Sequence, residues 1–478
     1  MFGFVFNFFK TGPDRPAISN NPEVIKGLYE RHRLSVFLTV TFGYAFYYVA
    51  RINFAVVKEP MLEEGILSAR EMGFIGTAFL AVYAVGKLSN GFLADRANIR
   101  RFMGFALLGS ALVNLLLGQT TIFWVFFALW ALNGWFQSIG SAPSVVSLAQ
   151  WFSAREIGTR YGIWSASHGL GSAFTFFFTA AAVEVVGWRF GFWGPGLLCA
   201  VVAIVMLRTL SDRPQTYGLP PVSEYKDDLP ADTEVAADAH CADGKQAGVG
   251  GKQWEVLRNP AIWALGTASA LMYVARYGIN SWGMLYLQLD KGYGMAQAGA
   301  ILAVYTGGTV VGAIISGIVS DRVFNSDRNR PALLAGLVNV SALLLLFLTP
   351  PGNRFLDTVA LGMFGVALGI LLAYLGGLMA VDLSSKRAAG AAMGVIGGFS
   401  YLGAAIQDTV SGVLIESTRE MVAVGDEVLW FLRAGGMDFE PEAQVRYCFE
   451  PVFYFWIGCA ALSVLLTLTV WNAKPCRE

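Results

Sequence analysis

The chain has 478 residues, 55% of them hydrophobic and 14% charged, and its 34 basic and 34 acidic side chains cancel. A soluble domain carries about 25% charged residues, so a water-soluble globule is excluded, and zero net charge gives no basis for holding nucleic acid. The apolar residues come in runs of about 20, enough to cross a bilayer core of about 30 Å as helix, and they lack the alternation of barrel strands, which leaves a polytopic helical membrane protein.

The first ten residues are aromatic but too short for a cleavable leader, and no basic region precedes them. Phe8, Phe9 and Lys10 suit the headgroup zone as an interfacial anchor. Residues 11–33 are polar and carry Arg15, Lys26, Arg31 and Arg33, so the positive-inside rule predicts a cytoplasmic segment over 1–34. Six spans are predicted at about 35–57, 71–93, 100–118, 121–147, 160–184 and 188–208, forming a first half over 35–208. The stretch 209–258 is polar, rich in small and acidic residues, and reads as a cytoplasmic linker with nothing to build a core. Six more spans are predicted at about 259–288, 296–318, 331–349, 355–380, 387–416 and 450–472, a second half over 259–472, followed by a cytoplasmic tail at 473–478.

The charges agree with this alternation. The loops expected in the cytoplasm hold Arg96, Arg100, Arg101, Arg155, Arg160, Arg322, Arg328, Arg330, Lys386 and Arg387. The last outer loop, about 417–449, is acidic, and within it Val424 to Leu432 has the pattern of a short amphipathic helix. The cysteines Cys199, Cys241, Cys448, Cys459 and Cys476 show no metal spacing. Cys199 and Cys459, in apolar runs, read as packing.

Two motifs repeat at one offset. Tyr48-Val49-Ala50-Arg51 returns as Tyr273-Val274-Ala275-Arg276 close to 225 residues later, each copy inside an apolar run. Gly91-Phe92-Leu93-Ala94-Asp95-Arg96 returns as Gly317-Ile318-Val319-Ser320-Asp321-Arg322 at nearly the same distance. Internal repeats of this size build transporters, with the ligand site at the midplane between halves. The second motif predicts tight cytoplasmic turns in which Asp95, Arg96, Asp321 and Arg322 bridge neighbouring helices and gate the closed state.

An arginine inside a membrane span costs from about 2.5 to over 10 kcal/mol, so two at matching places predict a shared task. The guanidinium is planar, permanently charged, and donates two parallel hydrogen bonds to a phosphate. Arg51 and Arg276 are therefore expected to face each other across a central cavity and grip an anion. His168 lies mid-span and titrates near neutrality. It is either a phosphate donor or proton-coupling group, or a histidine bonded to a helix carbonyl. Lys87 reaches a cavity or an acid. Asp408 either binds substrate hydroxyls or neutralises Lys87 or an arginine in the empty state. Without a P-loop, a nucleophile grouping or a metal set, neither an enzyme nor a cofactor is expected.

Twelve spans in two sixes, a middle loop and Gly-x-x-x-Asp-Arg turns after spans two and eight resemble the major facilitator superfamily. Four stretches narrow the resemblance to the organophosphate:phosphate antiporters: Gly43 to Phe54, Trp164 to Gly171, Tyr273 to Trp282 and Asp212 to Pro221. The resemblance implies that Arg51 and Arg276 bind the phosphoryl group and that His168, Lys87, Tyr44, Tyr48, Tyr83 and Tyr273 stand at the site. The chain departs from that pattern at Ile52, where a lysine is usual, at Ser165 and Gly169, where asparagines are usual, and at Gln407-Asp408, which lack a companion lysine.

The expectation is thus an all-α integral membrane antiporter, monomeric, in the inner membrane with both termini cytoplasmic. It exchanges a phosphorylated metabolite, with Asp408 favouring a sugar phosphate, for inorganic phosphate. A glycerol-3-phosphate or phosphoglycerate carrier, a hexose-phosphate sensor acting with a membrane kinase, and a proton-coupled symporter using Asp408 are the alternatives. An integral membrane enzyme acting on phosphate esters is the reading the residues favour least.

Overall fold

The computed structural model describes residues 8–94, 97–226, 258–318, 328–375, 389–423 and 443–471, with the single positions 324 and 379. Asp95, Arg96, Asp321 and Arg322, the amphipathic stretch 424–432 and the tail at 473–478 lie outside the described residues.

Twelve helical crossings are described, in two sets of six. They are α1 (Pro22–Glu63), α2 (Ala69–Ala94), α3 (Ile99–Leu117), α4 (Phe123–Ser138, resuming as Ser141–Trp151), α5 (Ala154–Phe174, then a π-helical turn Thr175–Thr179 and Ala180–Val186) and α6 (Phe190–Thr209) in the first half. The second half has α7 (Pro260–Leu289), α8 (Met295–Ile318), α9 (Asn329–Leu348), α10 (Arg354–Ala373), α11 (Ala389–Ser417) and α12 (Glu450–Thr469). A short hairpin, β1 (Glu420–Ala423) with β2 (Ala443–Arg446), stands in the last α11–α12 connection. Following the charge pattern, the face bearing the 64–68, 187–189 and 290–294 connections is called outer.

Local chemistry sets the ends. α1 begins where the Asn21 side chain accepts from the Glu23 amide and Pro22 takes the first turn. It ends beyond Pro60, at Gly65, whose φ of +66° suits a residue without a Cβ. α4 breaks at 139–140, just before Pro143, which has no N–H to continue the ladder. A Cβ at Gly140 in this break would press on the rings of Tyr47 and Tyr44 of α1. α2 opens with a capping box in which Ser68 and Glu71 satisfy each other.

Among the described residues, eight of the helices are long and apolar enough to cross a membrane, and α2, α4, α7 and α11 are not among them. α2, α7 and α11 carry Lys87, Arg276 and Asp408 and pack against the other half, where a charged side chain within a membrane protein belongs. Large exposed side chains such as Leu112, Trp124, Val201, Leu337 and Leu348 cover the perimeter, as a lipid solvent requires.

Buried amides lock the first half behind Arg51. Asn53 donates to Asn114 Oδ1 at 2.7 Å and to the Gly191 carbonyl at 2.9 Å. Asn114 and Asn133 both donate to the Ala50 carbonyl. The backbone on either side of Arg51 is thus pinned to α3, α4 and α6, and among the described residues Asn53 Oδ1 is left without a partner in this network.

The reading of 209–258 as a featureless linker needs correction for its first part. Asp212 accepts from the Ile99 amide and from Asn98 at the start of α3, and its carbonyl accepts from Trp151 Nε1 at 2.7 Å. Arg213 reaches back to Asp14 and the Gly12 carbonyl. Leu210, Tyr217 and Leu219 pack with Tyr29 and Trp151. The Asp212 to Pro221 stretch is therefore a clamp on the inner end of the first half. Residues 227–257 lie outside the described residues.

Candidate anion site between the halves

The two halves meet along α2–α11, α5–α8 and α1–α7. The α2–α11 contact is close because Gly73, Gly76 and Gly412 have no side chains, and a Cβ at Gly76 would overlap the Asp408 carboxylate. Thr77 donates to the Ala405 carbonyl at 2.8 Å and pairs with Thr409 at 2.6 Å. Two carboxylates then cross the interface at helix starts. Glu416 of α11 accepts from the Ala69 amide of α2 at 3.0 Å, and Glu184 of α5 accepts from the Ala296 amide of α8 at 3.1 Å. Gln288 of α7 donates to Glu59 of α1 at 3.1 Å. Among the described residues, the hydrogen bonds between halves lie at the level of Arg51 or outward of it, so the outer side is sealed.

Below this seal Arg51, 7% exposed, donates from Nη2 to Tyr277 Oη of the other half at 2.7 Å. Its guanidinium lies 4.4 Å from the Tyr83 ring centre and 5.3 Å from that of Tyr48. Arg276, half-buried, stacks its guanidinium over Tyr273 at 5.0 Å and Tyr277 at 5.5 Å. Both arginines therefore reach Tyr277, from opposite halves. Among the described residues no carboxylate lies within ion-pair distance of either. Their charge is held by ring faces, worth about 0.5–2 kcal/mol each, and by one phenol hydrogen bond, worth about 1.5–3 kcal/mol, which the several charge-assisted bonds of an anion outmatch.

The remaining expected residues fall as follows. His168 Nδ1 bonds the Ser165 carbonyl, and its ring lies 5.2 Å from that of Tyr48, with both arginines acting on it electrostatically. The carbonyl bond and the place beside the site, weighed as rivals, coexist. With Nδ1 turned to the helix, Nε2 is left for a ligand. Tyr44 is buried, stacked on Trp164 at 4.7 Å and edge-on to Tyr48. Lys87 is exposed on the inner stretch of α2 with Nζ 5.0 Å from the Tyr401 ring, and among the described residues it pairs with no acid.

Asp408 stands apart from Lys87. It accepts from Trp282 Nε1 at 2.9 Å and from Ser281 at 3.5 Å, and its charge acts on Lys58. The idea that it offsets Lys87 is corrected by this placement. Gln407, next to it, is fully buried and donates to Ser411 instead.

Three residues at the site were not anticipated. Lys58 is 1% exposed, with Nζ 3.4 Å from the Trp282 ring centre. Tyr277 joins the arginines. Tyr401 lies against Tyr83, Tyr273 and Tyr277 at 5.0, 5.8 and 6.4 Å. Lys58 follows Arg51 by seven positions and Tyr401 precedes Asp408 by seven, two helical turns on one face, so helical spacing was the available signal.

Comparison with known proteins decides the family. Residues 40–407 match the family model described as Major Facilitator Superfamily. The chain belongs to the Major Facilitator Superfamily. It is 34% identical over 409 residues to the membrane sensor protein UhpC of Escherichia coli K12, covering 84% of this chain and 89% of that one. It is 29% identical over 471 residues to a probable hexose phosphate transport protein of Chlamydia pneumoniae, covering 94% of each. A glycerol-3-phosphate transporter of Bacillus subtilis is 32% identical over 424 residues, 86% of this chain and 92% of that one. The resemblance to organophosphate:phosphate antiporters read from four motifs is thus borne out. A bacterial homologue of the human lysosomal transporter Spinster shares the fold, with a TM-score of 0.68 at 17% identity over 94% of this chain and 99% of that one. The chain is a multi-pass membrane transport protein of this family.

Proposed function

We propose that the protein exchanges a phosphorylated metabolite, a sugar phosphate such as hexose 6-phosphate, for inorganic phosphate by alternating access. The observation that carries this reading is the pair Arg51 and Arg276: one from each half, both at Tyr277, neither with a carboxylate among the described residues. Relatives that bear the names of hexose phosphate and glycerol-3-phosphate transporters support the substrate class. A phosphoryl dianion accepts from both forks, supplies the missing negative charge, and draws the halves together. Without an anion the two cations oppose closure on the inner side, which makes the empty carrier slow to reorient and couples movement in one direction to movement in the other. In this reading the sealed outer side marks the inward-facing state, and the carrier works as a monomer in the bacterial inner membrane with both termini in the cytoplasm.

The test is labelled phosphate exchange in proteoliposomes, chased with glucose 6-phosphate, glycerol 3-phosphate or 3-phosphoglycerate. Efflux on adding one ester establishes exchange and names the substrate. In the same assay Arg51→Lys and Arg276→Lys are expected to lose at least about tenfold in exchange, because a point charge does not reproduce the bidentate fork. Parent-rate exchange by Arg51→Lys would sink the clamp. A second reading, a sensor that binds the ester without carrying it, is favoured by the 34% identity to a membrane sensor protein. Ester binding with no phosphate exchange would establish it.

A further inference from the structure

Lys58 presents an unusual physical situation. It is 1% exposed, yet among the described residues no oxygen lies within hydrogen-bond or ion-pair distance of its ammonium. An ammonium kept from bulk water with no protein acceptor beside it is costly, and the indole face of Trp282 supplies only a cation–π contact. Asp408, the nearest opposing charge, is 3% exposed and already accepts from Trp282 and Ser281. It offsets Lys58 through the indole rather than by direct contact.

The group faces a cavity. Arg51, Lys58, Tyr277, Asn280, Ser281 and Asp408 line one small space of about 40 Å³ just under the outer seal. That space admits water but not a sugar phosphate. Lys58 lies on α1, and Asp408 and Trp282 lie on α11 and α7 of the other half. Any separation of the halves on the outer side therefore parts Lys58 from both. Lys58 then stands in the opened vestibule about 10 Å outward of Arg51 on the same helix face, by the helical rise over seven residues.

We propose that Lys58 is a docking cation for phosphate-bearing anions arriving from the outer side, its charge held by Trp282 and Asp408 while that side is closed. This rests on the exchange reading above and adds a sided site to it. An anionic oxygen from the outer solution meets Lys58 first, and passes to Arg51 as the cavity closes and Asp408 takes its place beside the lysine. Asp408 thus resets the dock. The site recognises phosphate oxygens as a charge and makes no use of the organic part.

The experiment compares sided kinetics in oriented proteoliposomes. For Lys58→Met the apparent KM for external phosphate is expected to rise on the order of tenfold and to lose much of its dependence on ionic strength, as removal of a steering charge does. The internal KM is expected to change several-fold less. Lys58→Arg is expected to restore the external value. Equal rises on both sides would place Lys58 in the central site and overturn the proposal, as would no change on either.

A second measurement covers a poorly folded methionine variant and separates this inference from the transport reading. Ser281→Cys in the same cavity, with Cys448→Ser to remove an exposed thiol, is treated from outside with a membrane-impermeant thiol reagent, with Lys58 kept or replaced by glutamine. Labelling that external phosphate slows only while Lys58 is kept supports the dock even if the parent exchanges no phosphate, in which case only the exchange reading falls. Absence of protection in a parent that does exchange phosphate overturns the dock and leaves exchange standing.

Discussion

Tyr277 fixes the geometry of the arginine pair. Its hydroxyl accepts from Arg51 Nη2 while its ring lies under Arg276, so one side chain orients a fork from each half. A hydrogen bond to a charged group contributes about 1.5–3 kcal/mol. Tyr277→Phe keeps the ring and removes that bond, so Arg51 is left to its stacking on Tyr83, Tyr48 and Phe79. The expected result is a protein that folds and exchanges, with an apparent phosphate KM raised about three- to tenfold. An unchanged KM would mean that the ring faces alone orient Arg51. Arg51 and Arg276 were legible in the sequence because the motif around them repeats. Tyr277 was not, although it follows Arg276 directly, because its role is to reach across to another half, and spacing within one helix says nothing of that. Asn53 was legible only as part of a motif. The structure turns it away from the cavity, into the amide network that pins Ala50.

At the scale of elements, the outer seal has an internal symmetry that follows from the repeat. α2 and α8 occupy matching places in their halves, and each begins at a carboxylate supplied by the other half: Glu416 of α11 for α2, Glu184 of α5 for α8. A carboxylate at a helix N-terminus contributes about 0.3–1 kcal/mol, more when partly buried, because it meets free amides and the positive end of the dipole. Both caps break when the outer side opens, so they bias the equilibrium toward the sealed state. Glu184→Gln with Glu416→Gln is expected to shift it by about 1–2 kcal/mol, roughly five- to thirtyfold, toward outer opening. A reporter at Ser281→Cys, in the cavity beneath the seal, with Cys448→Ser, would then react faster with an external impermeant thiol reagent. Unchanged reactivity in the double variant would show that the glycine and threonine contacts of α2 and α11 hold the seal alone. Neither glutamate was visible as a cap beforehand. A cap across an interface depends on which helices meet, and spacing along the chain does not show that.

For the whole molecule, the two-half plan was legible because membrane spans are set by length and apolarity, and matching motifs at one offset mark the repeat. The beginning of the linker was misread because polarity was taken for lack of structure, whereas its aromatic and proline residues pack on the inner end of the first half. His32 is the joint of that packing. Its ring stacks on Trp151 at 5.4 Å and Tyr217 at 4.6 Å, and Nδ1 shares a hydrogen bond with Ser211 Oγ at 2.7 Å. Burial, and secondarily the charge of Arg31, lowers its pKa below the ordinary 6.5. The packed segment therefore keeps His32 neutral where the detached segment would bind a proton. Its docking is fully stabilised above about pH 6.5 and loses stability as pH falls through the lowered value, by at most tenfold in the equilibrium per pH unit for one proton. Hydrogen exchange of the 211–219 amides, corrected for the intrinsic pH dependence, should accelerate below pH 6.5 in the parent. In His32→Gln, which keeps a side-chain amide near Ser211 and has no proton to gain, that acceleration should vanish. The same acceleration in both proteins would assign it to another group and leave the histidine a packing residue. If His32 governs it, the connection between the halves loosens at its inner anchor under acid conditions, while the arginine pair, which cannot lose its protons, keeps its full charge.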